Sequence, residues 1–178
     1  MPAKSNRSQY GNVAVAIHWL SAFLIIALLG SGFRADGTID PGIKTLILRF
    51  HVLAGVALLL LTLARIFWWC FVDRKPDSVP GASKLQSFSA SLVHLLFYPV
   101  ILGMIASGIG MLILSGAGSI IFAGAPGQLP DFQNYLPRIP HGIGARAFMV
   151  LILLHAGAAL YHQFLKRDGT LKRMWFTK

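Results

Sequence analysis

Charge is scarce in this chain. Only 12% of its 178 residues are Asp, Glu, Lys or Arg, and only six are acidic, whereas an ordinary soluble domain carries about 25% charged residues. That excludes a surface wetted on all sides. Cysteine is scarcer still. Cys70 stands alone, which excludes an internal disulfide and leaves no cysteine pair for a zinc or iron–sulfur site; it reads as a small apolar packing residue. Internal repeats and low-complexity tracts are missing as well. What fills the chain is hydrocarbon: 55% of residues are hydrophobic and the mean hydropathy is +0.64.

The apolar residues come in four blocks, Asn12–Phe33, Thr45–Val72, Ser89–Ser115 and Pro140–Leu165. Each is near the ~20 residues that cross a bilayer as a helix. Helices are the natural choice because lipid offers backbone groups no partners, and the blocks lack the alternation of barrel strands. The expected architecture is an all-α membrane protein, a four-transmembrane-helix bundle forming one domain over residues 1–178. The first block is too long for a cleavable signal peptide, and "GSGFRADG" offers no small-x-small cleavage site. Pro140 suits a first helical turn, Pro99 is expected to kink the third helix, and a short interfacial helix is expected around Phe132–Tyr135.

A net charge of +10 raises nucleic acid as a partner, but its distribution argues for topology. Eleven basic residues fall on one side of the spans: Lys4, Arg7, Arg65, Arg74, Lys75, Lys84, Lys166, Arg167, Lys172, Arg173 and Lys178. Five fall on the other: Arg34, Lys44, Arg49, Arg138 and Arg146. The positive-inside rule then puts both termini in the cytoplasm, with membrane lipid, not nucleic acid, as the surroundings. Trp19, Trp68, Trp69 and Trp175 read as interface belt residues, with Trp19 also a candidate for touching a cofactor.

The six histidines sit where hydrocarbon should discourage them. With helices one and three entering from inside and two and four from outside, His18 and His94 lie near the inner side and His51 near the outer side. On helix four His141 is at the outer end, His155 is ~21 Å deeper and His162 ~10 Å further, at the inner boundary. Fourteen and seven residues both return nearly to the same face, so His141, His155 and His162 form one stripe, which should turn inward, away from lipid. Depth therefore pairs His18 with His155 and His51 with His141. Two imidazoles on facing helices, once per leaflet, are what bis-histidine haem ligation requires, and Gly55, Gly142, Gly144, Ala156, Gly157, Ala158 and Ala159 would leave room for a macrocycle. Zinc or copper would want ligands converging on one point, and these pairs are ~20 Å apart. Two haem b groups are the expectation, with the iron held by His18, His51, His141 and His155.

"AIHWL", "RFHVLAGV", "HLLFYPVILGMIASG" and "HGIGARAFMVLILLHAGAALYH" together resemble the bacterial cytochrome b561 family, most closely its superoxide oxidase branch, over essentially the whole chain. A more distant likeness is to the cytochrome b subunits of formate dehydrogenases and hydrogenases. The resemblance implies the same two haems on the same four histidines, and that His94 is not an axial ligand; the role of His94 stays open. It also implies a quinone site beside the inner haem, with His162 contacting the quinone. The flank departs from the family, with Asn12 where relatives often carry a basic residue.

On that resemblance the chain would be an inner-membrane, multi-pass enzyme of bacteria that oxidises superoxide to O2 and reduces ubiquinone. Arg49 and Arg146, near the outer ligands, are candidates for pairing haem propionates or for steering a small anion inward. Two other readings stand beside it. A quinol-oxidising cytochrome would deliver electrons to a periplasmic redox protein or anchor a larger redox enzyme. A haem-free transporter or structural membrane protein would lack b-type absorption altogether. Ser107 is a candidate polar contact in helix three.

Overall fold

The computed structural model describes residues 2–79, 81 and 83–176. Among them there is no strand, and four helices are long and apolar enough to cross a membrane, with mean hydropathies between 1.9 and 2.3. Helix α1 spans Asn12–Gly37, α2 Pro41–Phe67, α3 Lys84–Ser115 and α5 Arg138–Tyr161; a short α4, Ala117–Ala123, lies between the last two. Two of the long helices end in a π-helical turn, Trp68–Val72 after α2 and His162–Lys166 after α5. Single turns of 3-10 helix follow at Phe132–Asn134, where a short helix was expected, and at Leu171–Met174.

The helices outrun the apolar blocks at several ends, for local reasons. Asp40 accepts the Ile43 N–H through Oδ1 at 2.8 Å, and Pro41 occupies the first turn, where its missing N–H costs nothing. So α2 begins four residues before Thr45. Ahead of α3, Ser83 and Gln86 form a reciprocal capping box: Gln86 N–H donates to Ser83 Oγ at 3.2 Å, and Ser83 N–H to Gln86 Oε1 at 3.0 Å. Two orphan amides are satisfied and the polar stretch from Lys84 joins the helix. Helix α3 runs on through Pro99. The loop after Ser115 carries an unexpected element, α4, entered and left through Gly116 and Gly124, both left-handed.

The chain divides into two compact units. The first comprises residues 2–21, 61–98 and 148–176; the second comprises 22–60 and 99–147. In the first unit the buried residues are Ala14, Val15, Ser21, Thr62, Asp73, Phe148 and Leu151. Asp73 closes the π turn and ties down the N-terminal arm. Its carboxylate accepts from Ser5 N–H, Ser5 Oγ at 2.7 Å, Trp68 Nε1 at 3.2 Å and Arg74 N–H at 2.8 Å. The arm folds so tightly that a Cβ on Gly11 would collide with the backbone of Ala3 and Lys4. Arg173 donates to the carbonyls of Ser8 and Asp77, so the C-terminal segment joins the same knot.

The second unit buries Ala35, Ala54, Leu58, Ile101, Ser107, Ala117 and Ile121. Arg49 Nε donates to the Ile121 carbonyl at 2.7 Å, which fastens α4 to α2. Arg138 pairs with Asp36 at 3.0 Å. Outward faces of the long helices are apolar: Phe23 and Ile26 on α1, and Leu153 and Leu154 on α5, are each more than half exposed. In water such faces would be a liability, and in lipid they are the solvent-facing surface.

Candidate functional site

The histidines gather within each unit. In the second unit His51 of α2 and His141 of α5 face one another with ring centroids 6.2 Å apart and planes 61° apart. In the first unit His18 of α1 and His155 of α5 stand 5.9 Å apart at 64°. Two imidazoles binding one metal from opposite sides, each through a nitrogen about 2 Å away, have centroids about 6 Å apart. Both pairs meet that spacing.

The second-unit pair also shows which ring nitrogen is available. His141 Nδ1 lies 3.0 Å from Ser107 Oγ and 3.1 Å from the Met104 carbonyl oxygen. A carbonyl oxygen can only accept, so Nδ1 carries the hydrogen and Nε2 keeps its lone pair. Ser107, buried, passes its own hydroxyl hydrogen to the Gly103 and Met104 carbonyls at 2.8 and 2.9 Å. His51 repeats the device on another helix: Nδ1 is 2.9 Å from Ser31 Oγ, Ser31 donates to the Leu28 carbonyl at 3.1 Å, and the same carbonyl faces the imidazole as an acceptor. Metal-bound histidines characteristically present their second nitrogen to an oxygen in this way, which fixes the tautomer and ring orientation. The donor set thus fits a bis-histidine iron.

Both serines are followed by a glycine whose bare Cα faces the ring. A Cβ on Gly32 would sit 3.3 Å from His51 Cε1, and one on Gly108 3.4 Å from His141 Cε1. Other small residues divide by use. Positions Gly55 and Gly157 have open space where a Cβ would point, whereas Gly142 is approached by Arg138 and Gly144 receives the Met104 thioether.

The first-unit cluster is aromatic and cationic in character. His155 is packed by His18, by His94 at 5.1 Å and by Phe97 at 5.6 Å, all edge-on. His94 bonds the Ala90 carbonyl one turn back on its own helix. Among the described residues no group of three or more His, Cys, Asp or Glu side chains is arranged to hold a metal ion. Arg65 of α2 lies close enough to act electrostatically on His18, His94 and His155 alike. Trp19 stacks edge-on with His18 at 5.4 Å and Trp175 at 5.7 Å, and donates its indole N–H to the Met174 carbonyl.

His162 opens the π turn after α5. Its Nδ1 contacts Asp168 Oδ2, and Tyr161 lies edge-on to the ring at 5.7 Å. Asp168 is outside the spans. Burial pushes its carboxyl up, but hydrogen bonds from Thr170 and His162 outweigh that and hold it down to about 2. Of the two candidate arginines, Arg49 is engaged with α4, and Arg146 makes no ion pair among the described residues.

The sequence paired His18 with His155 and His51 with His141, and the rings do face one another; it did not single out Ser31, Gly32, Gly108 or Asp168, and it left Ser107 undecided. The Ser-Gly step occurs in both "GSGF" and "ASGIG"; that repeated dipeptide on two helices was the available signal.

Residues 9–177 match the family model described as prokaryotic cytochrome b561. Among curated relatives, cytochrome b561 homolog 1 of Escherichia coli is 29% identical over 174 residues, covering 94% of this chain and 97% of the relative. Cytochrome b562 of Cereibacter sphaeroides is 29% identical over 170 residues, 93% and 94% of the two chains. A probable superoxide oxidase of Yersinia pestis is 29% identical over 174 residues, 93% and 95% of the two.

Proposed function

The chain belongs to the prokaryotic cytochrome b561 family, and from that premise we propose that it is a di-haem membrane oxidoreductase moving electrons from superoxide on the outer side to ubiquinone near the cytoplasmic side. The observation that carries the haem assignment is the pair of oxygen-tied Nδ1 atoms, His51 against the Ser31 hydroxyl and His141 against the Met104 carbonyl, which leave Nε2 of each for iron. His18 and His155 hold the second haem by the matching ring spacing. Bound there, haem b supplies reversible one-electron chemistry, and the protein tunes it.

Two superoxide anions would be oxidised to two O2, and the two electrons with two protons from the cytoplasm would convert ubiquinone to ubiquinol. This chain's residues do the rest. Arg34, Lys44 and Arg146 bring positive charge to the outer side, with Arg49 and Arg146 also the candidates for haem carboxylates; such charge speeds the encounter with a small anion. His162 is the quinone contact. Its neighbour Gln163 lines a groove of ≈ 360 Å³ with Gln9, Leu171, Lys172, Trp175 and Phe176, an apolar-walled space of the size small ligands use. The name of the Yersinia relative supports the choice of superoxide.

Stopped-flow absorbance tests the reading. Oxidised protein mixed with superoxide should show fast haem reduction, then reoxidation that depends on added ubiquinone. Haems that stay oxidised with superoxide but reduce with ubiquinol would overturn it in favour of a quinol-fed cytochrome serving a periplasmic acceptor. A colourless preparation would end both.

A further inference from the structure

We propose that Asp168 is the positioning carboxylate of His162, and that Thr170 holds it there, so that the three residues form one device for handing a proton to the quinone. The inference rests on the quinone reading of His162 and adds the part that makes the histidine work.

Three features of the backbone build the device. The first is the π turn His162–Lys166, which widens the end of α5; such turns concentrate at functional positions. The second is Arg167, at φ 53 and ψ 34. It is the only non-glycine residue with positive φ among those described, in a conformation side-chain-bearing residues avoid. Gly169, at φ 77, follows. This reversal folds the chain back, so that a residue six positions on meets the imidazole. The third is the anchoring of the carboxylate: Thr170 N–H donates to Asp168 Oδ1 at 3.0 Å and Thr170 Oγ1 donates to the same oxygen. Oδ2 is thereby left for His162 Nδ1.

The chemistry follows from what each atom can do. An ionised carboxylate only accepts, so His162 Nδ1 carries a hydrogen and Nε2 is the nitrogen turned to the substrate. Quinone reduction consumes two electrons, delivered singly from the reduced haems, and two protons. One proton passes from cytoplasmic water to Nε2 and on to a quinone oxygen, forming its O–H bond; the second comes from water directly. While the ring holds the extra proton, the Asp168 charge faces it across the Nδ1–H bond. Aspartate behind histidine serves orientation and charge together, as in other acid–base pairs.

The test is a double-mutant cycle on the intact, haem-loaded protein, measuring steady-state ubiquinone reduction and the haem spectrum. Asp168→Asn keeps the size but removes the charge. It should lower kcat on the order of tenfold, a fraction of what a general acid contributes, with KM for ubiquinone and haem absorption little changed. Thr170→Val should give a smaller loss and Thr170→Ser should restore it. In a His162→Gln background, Asp168→Asn should add nothing, because the carboxylate acts through the ring. If His162→Gln slows the reaction and Asp168→Asn does not, or if the Asp168→Asn loss persists undiminished in the His162→Gln background, the positioning role is overturned while the quinone site stands. If the native haems are not reoxidised by ubiquinone at all, the quinone reading falls and this inference with it.

Discussion

Replacing Ser107 with Ala removes one oxygen from beside an imidazole and very little else. Ser107 is 8% exposed, and its hydroxyl links the Gly103 and Met104 carbonyls to His141 Nδ1. Those carbonyls keep their helical partners, so the fold should survive. What changes is the electron density of the ligand. A hydrogen-bonded Nδ1–H makes imidazole a stronger donor, which favours ferric iron; removing the bond should raise the potential. A hydrogen bond of this kind is worth about 0.5–1.5 kcal/mol net. At about 59 mV per tenfold for one electron and about 1.4 kcal/mol per tenfold, the ceiling is about 20–60 mV. The Met104 carbonyl, 3.1 Å from Nδ1, retains part of the bond, so the shift should fall in the lower half of that range. Optical redox titration of the purified protein measures it, resolving two one-electron components. Ser31→Ala should move the same component in the same direction, since His51 keeps the Leu28 carbonyl. A fall in potential, or movement of the other component, would refute the assignment of Nδ1 as donor on the second-unit haem.

Glycine beside each of these ligands sets a second expectation. Gly108→Val adds two methyls beyond a Cβ that would itself stand 3.4 Å from His141 Cε1, at the near edge of carbon–carbon contact; a pyridine haemochrome assay should find one haem per chain instead of two, and Gly108→Ala should retain both. Asp36→Asn removes the anion from an ion pair whose aspartate is 58% exposed. Surface pairs contribute about 0–1 kcal/mol, so the thermal midpoint should hardly move, while haem reduction by superoxide should quicken, most at low ionic strength. Burial pushes the Asp73 carboxyl up, but its bonds from Ser5, Arg74 and Trp68 hold it below the ordinary 3.8. A depressed folded value means stability present above the unfolded value and lost as pH falls through the folded one. Protection of the Ser5–Gly11 amides, relative to their intrinsic exchange rates, should therefore fall in acid below about pH 4, and Asp73→Asn should abolish that dependence.

The four spans were legible because lipid demands long apolar runs with few interruptions, and nothing else in a chain of this length produces them. Their ends were not. Hydropathy cannot see that Ser83 and Gln86 cap each other, although S-x-x-Q was there to be read, and it stops at polar residues that a helix readily carries into the interface. Histidine depth and face followed from 1.5 Å and 100° per residue, which is why both expected pairs meet. The serines that serve them lie 20 and 34 residues away in sequence, a relation set by helix packing, which the shared Ser-Gly step marks but does not pair with either histidine. Asp168 was hidden differently. Its meeting with His162 depends on a π turn and a left-handed arginine, neither of which composition favours.

The two histidine pairs are built alike in spacing and unlike in surroundings, and the difference has a direction. In the second unit both Nδ1 atoms donate to oxygens, which enriches the imidazoles and favours ferric iron. In the first unit His155 is packed edge-on by His18, His94 and Phe97, and the Arg65 cation acts on both His18 and His155. A nearby positive charge favours the more reduced, less positive iron. The second-unit haem should thus be the lower in potential and the first-unit haem the higher, which makes electron flow downhill from the one to the other. If the second-unit haem is the one that faces superoxide, as the proposed function has it, that is flow toward the quinone. Shifts in Ser107→Ala identify which component is which, and Arg65→Gln should lower the other one. Should the component that moves with Ser107 prove the higher of the two, the gradient points the opposite way, and quinol oxidation becomes the direction these ligand environments favour.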